Sequence, residues 1–303
     1  MPDHHPLRLG DATLGGPWGA TTGLLVGSIF YDNHSLITDS RSGEFDQARA
    51  ARLLAAVNHQ QARYGVQMAL DVLAPSAPAM ERYLEFVAAR TNLPLFINAT
   101  EPEVRLAGLA AASRLGLLGR TAYCSLTEET EGEELAALGR TPPAAVMILA
   151  CDIGDLTPAG TVAMVERVFQ PMLREIGQKM PIVDVGTMDP PSVGLNLRQI
   201  VAVRQELGYP AGCAFANCFP QWSGLRDLGR EARNLSLAAA LVACRGAGAE
   251  YLHYGIIEKA APAAHAAATA EVFYGFAAQE LDGAKLPAGH PLSKMFKLTP
   301  EEA

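Results

Sequence analysis

The sequence has little positive charge and no long hydrophobic run. It carries 24 Lys and Arg against 32 Asp and Glu, a formal net charge of −8. Nucleic acids and anionic membrane surfaces attract basic proteins, so this balance disfavours both as partners. The longest apolar stretches, such as LSLAAALVAC (235–244), fall well short of the roughly 20 residues that span a bilayer. We therefore expect no nucleic-acid partner and no membrane insertion.

Cysteine is also scarce, with five in 303 residues and no close C-x-x-C pair. Such a content does not indicate a disulfide framework and is typical of a reducing compartment. The N-terminal MPDHHPLRLGD lacks a charged region followed by an apolar run, the mark of a secretory signal. We expect a cytoplasmic protein.

Eight apolar runs predict β-strands. Most are near-continuous rather than alternating, as parallel strands buried on both faces are. The runs are 23–31, 65–73, 93–100, 120–127, 144–152, 181–186, 211–217 and 250–257.

Segments typical of helices follow these runs. The first has Asp46 at its start, a good N-cap, and Gly65 after its end, a good C-cap. The predicted helices cover 46–64, 77–90, 102–116, 130–139, 158–178, 193–207, 230–247 and 262–281.

Eight strands alternating with eight helices predict an α/β fold, a (β/α)8 TIM barrel. The alternative is an open doubly wound sheet, but no Gly-rich phosphate fingerprint follows the first strand, which disfavours its dinucleotide-binding form. We expect one barrel domain over residues 1–303. Residues 6–20 would form a hairpin that plugs the barrel floor, and 284–303 a loose C-terminal extension.

Polar side chains follow the predicted strands, where active sites of such barrels lie. They are mostly amides, carboxylates and hydroxyls, and Lys259 is an exceptional basic residue there. This scarcity of cations disfavours a phosphosugar substrate. Asp and Asn together suit a flat, neutral heterocycle such as a pterin or purine, because they supply both donors and acceptors.

Several blocks of the sequence resemble a known family. They are LLVGSIFYDNHSLITDSRSGEFD, FINATEPEVRLAGLAAASRLGL, PIVDVGTMDPPSVGLNLRQIVAVRQELGYPAGCAFANC and GAGAEYLHYGIIEKA. In this order they resemble the H subunit of tetrahydromethanopterin S-methyltransferase and its bacterial relatives. Those relatives exchange methyl groups between a corrinoid protein and tetrahydrofolate. The resemblance covers roughly residues 20–260, and its first block is the most specific.

The resemblance implies a pterin-binding methyltransferase barrel whose substrate is tetrahydrofolate or methyltetrahydrofolate. Asp184 would pair with the pyrimidine edge of the pterin. Asn217 would be the catalytic amide that hydrogen-bonds N5, the atom that carries the methyl group. The other residues expected to face the pterin are Asp71, Asn98, Cys124, Ser125 and Asp152.

Two positions depart from the family's pattern. Relatives often have Asp-Ser-Thr where this chain has Asn98-Ala99-Thr100, and often Asn where it has Cys124. An amide in place of a carboxylate loses a charged acceptor and adds a donor. One pterin contact is therefore expected to be rearranged or weakened.

The resemblance also implies a cobalt-carrying partner. A corrinoid-binding module usually has its own fold, and this chain is fully assigned to the barrel, so we expect a separate corrinoid protein that docks over the barrel mouth. We expect no metal bound by this chain. Cys124, Cys151 and Cys218 on one rim could hold zinc, but the adjacent cysteines of such sites are missing, and buried thiols often only fill space. The family resemblance implies a homodimer.

Three alternatives stay open. The chain could be a non-catalytic subunit that docks a corrinoid protein. It could be an enzyme of dihydropteroate synthase type, although such an enzyme needs a phosphate or diphosphate grip, which the sequence does not show. His34 could contact the corrinoid or fix the first loop, and we favour the second.

Overall fold

A computed structural model describes residues 6–16 and 18–296 of the chain. Eight parallel strands close into a barrel, which confirms the predicted (β/α)8 fold. The strands are β1 Leu24–Ile29, β2 Gln67–Leu73, β3 Leu95–Asn98, β4 Thr121–Leu126, β5 Ala145–Leu149, β6 Ile182–Asp184, β7 Ala211–Cys213 and β8 Tyr251–Ile256. Each pairs with its neighbours in sequence, and β8 pairs with β1 to close the sheet.

Helices surround the barrel. They are α1 Gln47–Tyr64, α2 Ala77–Ala88, α3 Pro102–Arg114, α4 Gly132–Arg140, α5 Pro158–Met164, α6 Gln170–Glu175, α7 Val193–Ala202, α8 Ser223–Asp227, α9 Gly229–Gly246, α10 Ala260–Asp282 and α11 Pro291–Phe296. A π-helical turn, Val165–Phe169, joins α5 to α6, and another, Val203–Leu207, extends α7. None of the helices within 6–16 and 18–296 is both long and apolar enough to cross a membrane.

The first helix begins and ends where its capping residues predict. The Asp46 side chain accepts a hydrogen bond from the Arg49 N–H, and Gly65 adopts the left-handed conformation at φ 73°. Glycine takes this conformation without the steric cost that a Cβ brings. Between these caps α1 buries Ala50, Leu54 and Val57 against the barrel.

Two apolar layers hold the barrel together. Strand residues that point outwards, such as Leu70 and Ile97, pack with the inner faces of the helices. Residues that point inwards, such as Val26, Phe96 and Met147, fill the barrel interior. This alternation follows from the two-residue period of a strand. The barrel interior is therefore filled with side chains up to the C-terminal ends of the strands. A site can lie only above those ends.

A β-hairpin closes the bottom of the barrel. Leu7–Leu9 pairs antiparallel with Ala12–Leu14, and Leu9 and Leu14 pack into the interior cluster. The Gln67 side chain fixes the hairpin to β2, since it accepts from the Thr13 N–H at 2.6 Å and donates to the Thr13 carbonyl at 2.9 Å. The hairpin keeps solvent out of the end opposite the site.

The seventh strand is shorter than predicted. It ends at Cys213, and residues Phe215–Gln221 form a 3-10 helix instead of extending the strand to 217. Position 212 needs a glycine, because a Cβ there would overlap the carbonyl oxygen of Tyr251 on β8. The backbone thus leaves the sheet four residues before Asn217, which moves that side chain from a strand end to a turn.

Within the predicted loose extension, residues 290–296 pack on the barrel. His290 and Leu292 are buried, and α11 packs on α1 and α10. The Lys294 ammonium donates to the Ala62 carbonyl at 2.5 Å. Residues 297–303 of the predicted extension lie outside the described residues.

Candidate functional site

A cavity of about 840 Å³ lies at the C-terminal ends of the barrel strands. We call it the strand-end cavity. It is large enough for a ligand of cofactor size. Six of the seven predicted site residues line it, namely Asp71, Asn98, Cys124, Ser125, Asp184 and Asn217.

Asp152 is the predicted residue that does not line the cavity. β5 ends at Leu149, so Asp152 lies in the following loop. There its carboxylate accepts the Gly154 N–H at 2.8 Å and fixes the loop's own turn. The strand was predicted to run to 152, and the shorter strand is the reason for the different position.

Asp184 is a buried carboxylate at the end of β6 and is 6% exposed. One of its oxygens accepts the Gly186 N–H at 2.8 Å. Burial raises the pKa of Asp184 to about 6, against the opposing effect of this hydrogen bond and of nearby His253. At neutral pH the group is therefore mostly ionised but poorly solvated. A ligand that offers N–H donors would relieve this lack of solvation.

Asp71, two residues before the end of β2, is the centre of a buried polar network. Its Oδ2 accepts from the Ser28 hydroxyl at 2.7 Å, and its Oδ1 accepts from the Asn98 amide at 2.9 Å. Nε2 of His253 lies 3.2 Å from the same Oδ2. Three neighbours thus share one carboxylate. Such a group serves to orient its donors, since most of its acceptor capacity is already used.

The His253 ring has a defined hydrogen position. Its Nδ1 accepts the Gly255 N–H at 3.3 Å, so in the neutral ring the hydrogen is on Nε2. Nε2 therefore faces Ser28 Oγ at 3.0 Å and Asp71 as a donor. The ring of His253 is itself part of the cavity lining.

Asn217 lies in the 3-10 turn after β7 and lines the cavity. Its backbone N–H donates to the Ala214 carbonyl at 3.1 Å. Within residues 6–16 and 18–296 its side-chain amide has no hydrogen-bond partner and is exposed. The amide is therefore free to bond a ligand.

The thiols of the rim are protonated at neutral pH. Burial raises the pKa of Cys124 well above its usual value and that of Cys218 to about 11, and it also raises the pKa of Cys151. The Cys218 thiol donates to the Phe215 carbonyl at 2.9 Å. In the described part of the chain no group of three or more His, Cys, Asp or Glu could hold a metal ion.

His34 fixes the loop after β1. It is 2% exposed, its Nδ1 accepts the Phe30 N–H at 3.0 Å, and its Nε2 lies 3.0 Å from Glu258. Tyr31 stacks on its ring at 4.1 Å and lines the cavity. These contacts agree with a structural role for His34.

Several cavity residues were not among the predicted site residues. Ser28 and His253 come from within β1 and β8, and nothing in the sequence shows that they meet Asp71. Arg226, Arg233 and Lys259 add three basic side chains to the wall, although strand ends suggested few cations. The two arginines were missed because they lie in α8 and α9, beyond the strand end.

Two known proteins match nearly the whole sequence. The sequence is 30% identical over 301 residues to the H subunit of tetrahydromethanopterin S-methyltransferase from Methanothermobacter thermautotrophicus, covering 96% of this chain and 97% of that one. It is 29% identical over 302 residues to the same subunit from Methanothermobacter marburgensis, with the same shares covered.

A solved structure shares the fold. The dihydropteroate synthase of Yersinia pestis, in complex with a sulfonamide drug, superimposes with a TM-score of 0.61 at 14% identity, over 89% of this chain and 98% of that one. At this identity the likeness concerns the barrel alone. The family model of the MtrH subunit of tetrahydromethanopterin S-methyltransferase matches residues 5–284. The chain belongs to the MtrH family, a family of methyltransferase subunits.

Proposed function

We propose that this chain is a methyltransferase that moves a methyl group between N5 of a reduced pterin, tetrahydrofolate, and the cobalt of a separate corrinoid protein. One observation carries the proposal. The strand-end cavity combines a buried, poorly solvated carboxylate, Asp184, with a free amide, Asn217. These are the two groups that pterin recognition and N5 chemistry require. The relatives are named for tetrahydromethanopterin, so both pterins belong in every test.

Asp184 is suited to the pyrimidine edge of a pterin. That edge offers a ring N–H and an exocyclic amine side by side, and a carboxylate accepts two such bonds at once. Because burial raises the pKa of Asp184 to about 6, the ionised form is the costly one, and two new donors stabilise it. A bound pterin would thus stabilise the charged form of a carboxylate that burial destabilises.

Asn217 is suited to N5. When a methyl group leaves N5, electron density builds up on that nitrogen, and a donor aimed at it stabilises the transition state more than the ground state. An amide N–H donates at any pH, because the group does not titrate. It cannot supply the proton that N5 finally takes, which must come from water or through a carboxylate. In the reverse direction N5 is the nucleophile, and the site's task is orientation.

The corrinoid supplies the electron pair that takes up the methyl group, so the carbon–nitrogen bond breaks as the carbon–cobalt bond forms. The partner would dock over the cavity mouth. Two large apolar side chains lie close to Arg226 in the chain and are exposed, Trp222 at 46% and Leu228 at 72%. Exposed apolar side chains near a mouth favour contact with another protein. A homodimer, as the resemblance implies, and a cytoplasmic location, as the cysteine content and the lack of a secretory signal suggest, stay part of the proposal.

A second candidate is an enzyme of dihydropteroate synthase type. The three basic residues of the cavity, Arg226, Arg233 and Lys259, favour it, because such an enzyme must hold a diphosphate. Incubation with a dihydropterin diphosphate and 4-aminobenzoate decides between the two. Release of diphosphate would favour this candidate, and its absence favours methyl transfer.

Calorimetric titration with the N5-methylated pterins tests the proposal. Wild-type protein should bind methyltetrahydrofolate or its tetrahydromethanopterin counterpart. Asp184→Asn should weaken binding at least about tenfold, as the loss of charge-assisted bonds does. Asp152→Asn is the matched control, since that carboxylate lies outside the cavity lining, and it should bind as the wild type does. Absence of binding by the wild type would contradict the proposal and leave the docking-subunit and dihydropteroate synthase alternatives.

A further inference from the structure

Three basic side chains share one wall of the strand-end cavity. Arg226 belongs to α8, Arg233 to the start of α9, and Lys259 to the 3-10 turn that follows β8. They come from two separate segments that the barrel brings together beside β7 and β8. We call these three residues the cationic wall.

The charges of the cationic wall are not neutralised by the protein. In the part of the chain that the structure describes, none of the three side chains forms a salt bridge. The Lys259 ammonium donates to the Asn234 amide oxygen at 2.9 Å, and Arg233 donates to the Arg226 carbonyl at 3.3 Å. Both acceptors are neutral. Burial, with Arg233 and Arg230 nearby, lowers the pKa of Lys259, so the cations also repel one another.

Folding alone gives no reason for this arrangement. Arg230, which lies near Lys259, stands in the first turn of α9, where the positive end of the helix dipole disfavours a cation. The chain has a net charge of −8, so acidic partners are plentiful elsewhere. A cluster of cations that the fold does not neutralise, on the wall of a cavity, is typical of an anion site.

We propose that Arg226, Arg233 and Lys259 form a subsite for the anionic tail of the pterin substrate. This rests on the proposed function, in which Asp184 holds the opposite end of the ligand. Asp184 is 6% exposed at the bottom of the cavity, whereas Arg226 is exposed at its mouth. A pterin seated on Asp184 would therefore direct its tail outwards, to the cationic wall. The shared chemistry is that of oxyanions, either glutamyl carboxylates or a tail phosphate, both of which accept from guanidinium and ammonium groups.

Titrations with N5-methylpterins that differ in their tails test this inference. The probes are a methylated tetrahydropterin without a tail, methyltetrahydrofolate with one or three glutamyl units, and methyltetrahydromethanopterin. Wild-type protein should bind the triglutamate roughly tenfold more tightly than the tailless probe. This difference should shrink as NaCl rises from about 50 to about 500 mM, because salt screens exposed charges. Each tailed probe is compared with the tailless probe. The tail, glutamyl or phosphate, that gives the larger increase in affinity is the one that the site accepts.

Variants show which side chains cause this difference in affinity. The double variant Arg226→Gln/Arg233→Gln and the single variant Lys259→Gln should each lose about three- to tenfold in affinity for the charged tails. They should bind the tailless probe as the wild type does. Arg140→Gln removes one exposed charge from the end of α4, far from the cavity lining, and is the control for net charge.

The outcomes separate this inference from the proposed function. Equal affinity of the wild type for tailed and tailless probes would refute the subsite while the pterin site stands. An equal loss in Arg140→Gln would also refute it, because general charge would then explain the effect. Binding of no probe at all would refute the proposed function itself. If a variant fails to fold, the wild type still tests the subsite. An affinity difference between tailed and tailless probes that does not shrink as NaCl rises would refute it.

Discussion

Nε2 of His253 lies 3.2 Å from Oδ2 of Asp71, although 182 residues separate the two in sequence. They meet because β8 closes the barrel against β1, whose Ser28 in turn stands opposite Asp71 on β2. The Gly255 N–H fixes the tautomer of His253, and Asn98 donates to Asp71 from the other side. The four side chains thus form one buried wall of the cavity. Their hydrogen bonds account for the orientation of Asn98.

Asp71→Ala should destabilise the protein. Its removal leaves the donors of Ser28, Asn98 and His253 buried without their acceptor. A buried donor that loses its partner costs about 1–3 kcal/mol, so we expect a loss of roughly 2–5 kcal/mol in the free energy of unfolding. Urea unfolding followed by circular dichroism measures it. Asp152→Ala, which removes a carboxylate from a loop, should cost less than about 1 kcal/mol. Equal losses in both variants would show that the network does not matter for stability.

Asn98→Asp should make stability depend on pH. The amide of Asn98 donates to Asp71 at 2.9 Å, so an aspartate there places two carboxylates within hydrogen-bond distance. They can bond only if they share a proton, so the folded variant holds more protons than the unfolded chain, and its stability falls as pH rises. We expect a loss on the order of 2–4 kcal/mol at pH 8 and much less near pH 5.

Asn98→Ala is the control for this experiment. It loses the same hydrogen bond without adding a charge, so its loss of stability relative to the wild type should change little with pH. Thermal unfolding between pH 5 and 8 measures both variants. A flat pH profile for Asn98→Asp would contradict the close contact of these two side chains.

Asp184→Asn should stabilise the empty protein while it weakens pterin binding. Burial raises the pKa of Asp184 to about 6 from a usual 3.8. The folded state then holds more protons than the unfolded state between these values, so the carboxylate costs stability as pH rises through them. The amide removes this cost, on the order of 3 kcal/mol at pH 8 and well below 1 kcal/mol at pH 4. Chemical denaturation at both pH values measures it, and a variant less stable than the wild type at pH 8 would contradict the raised pKa.

Asn217→Ala should abolish most of the methyl transfer and leave pterin binding nearly unchanged. The amide has no partner within the described residues, so its loss should cost little stability. Loss of a donor that acts in the transition state lowers rates by about 10²–10³-fold. Stopped-flow rates and calorimetric affinities for the same preparation separate the two effects. Transfer at near the wild-type rate would show that another group interacts with N5.

The sequence predicts the architecture well, because buried parallel strands and capped helices leave strong local patterns. Asp46 and Gly65 bound α1 as expected, and all eight strands form. The predicted lengths of β5 and β7 were too long, because apolar loop residues such as Ala150 and Phe215 continue the pattern of the strand. Because these two strands end earlier than predicted, Asp152 and Asn217 lie beyond the strand ends and not on them.

The site is only partly predictable. Asp71, Asn98 and Asp184 lie at or near the C-terminal ends of strands and could be placed on one rim by topology alone. The contacts of Asp71 with its partners could not be predicted, because the register of β8 against β1 shifts between His253 and Gly255. Arg226 and Arg233 lie on helices whose packing over the mouth has no signal in a local pattern.

The most direct test of the proposed function is methyl transfer itself. Wild-type protein is mixed with methyltetrahydrofolate or methyltetrahydromethanopterin and a corrinoid protein reduced to the Co(I) state, and the absorbance of Co(I) is followed in time. We predict that Co(I) decays as the demethylated pterin appears in equal amount, and that Asn217→Ala slows this decay at least about a hundredfold. Co(I) that persists with both pterins and every candidate corrinoid protein, although the pterins bind, would contradict the proposal.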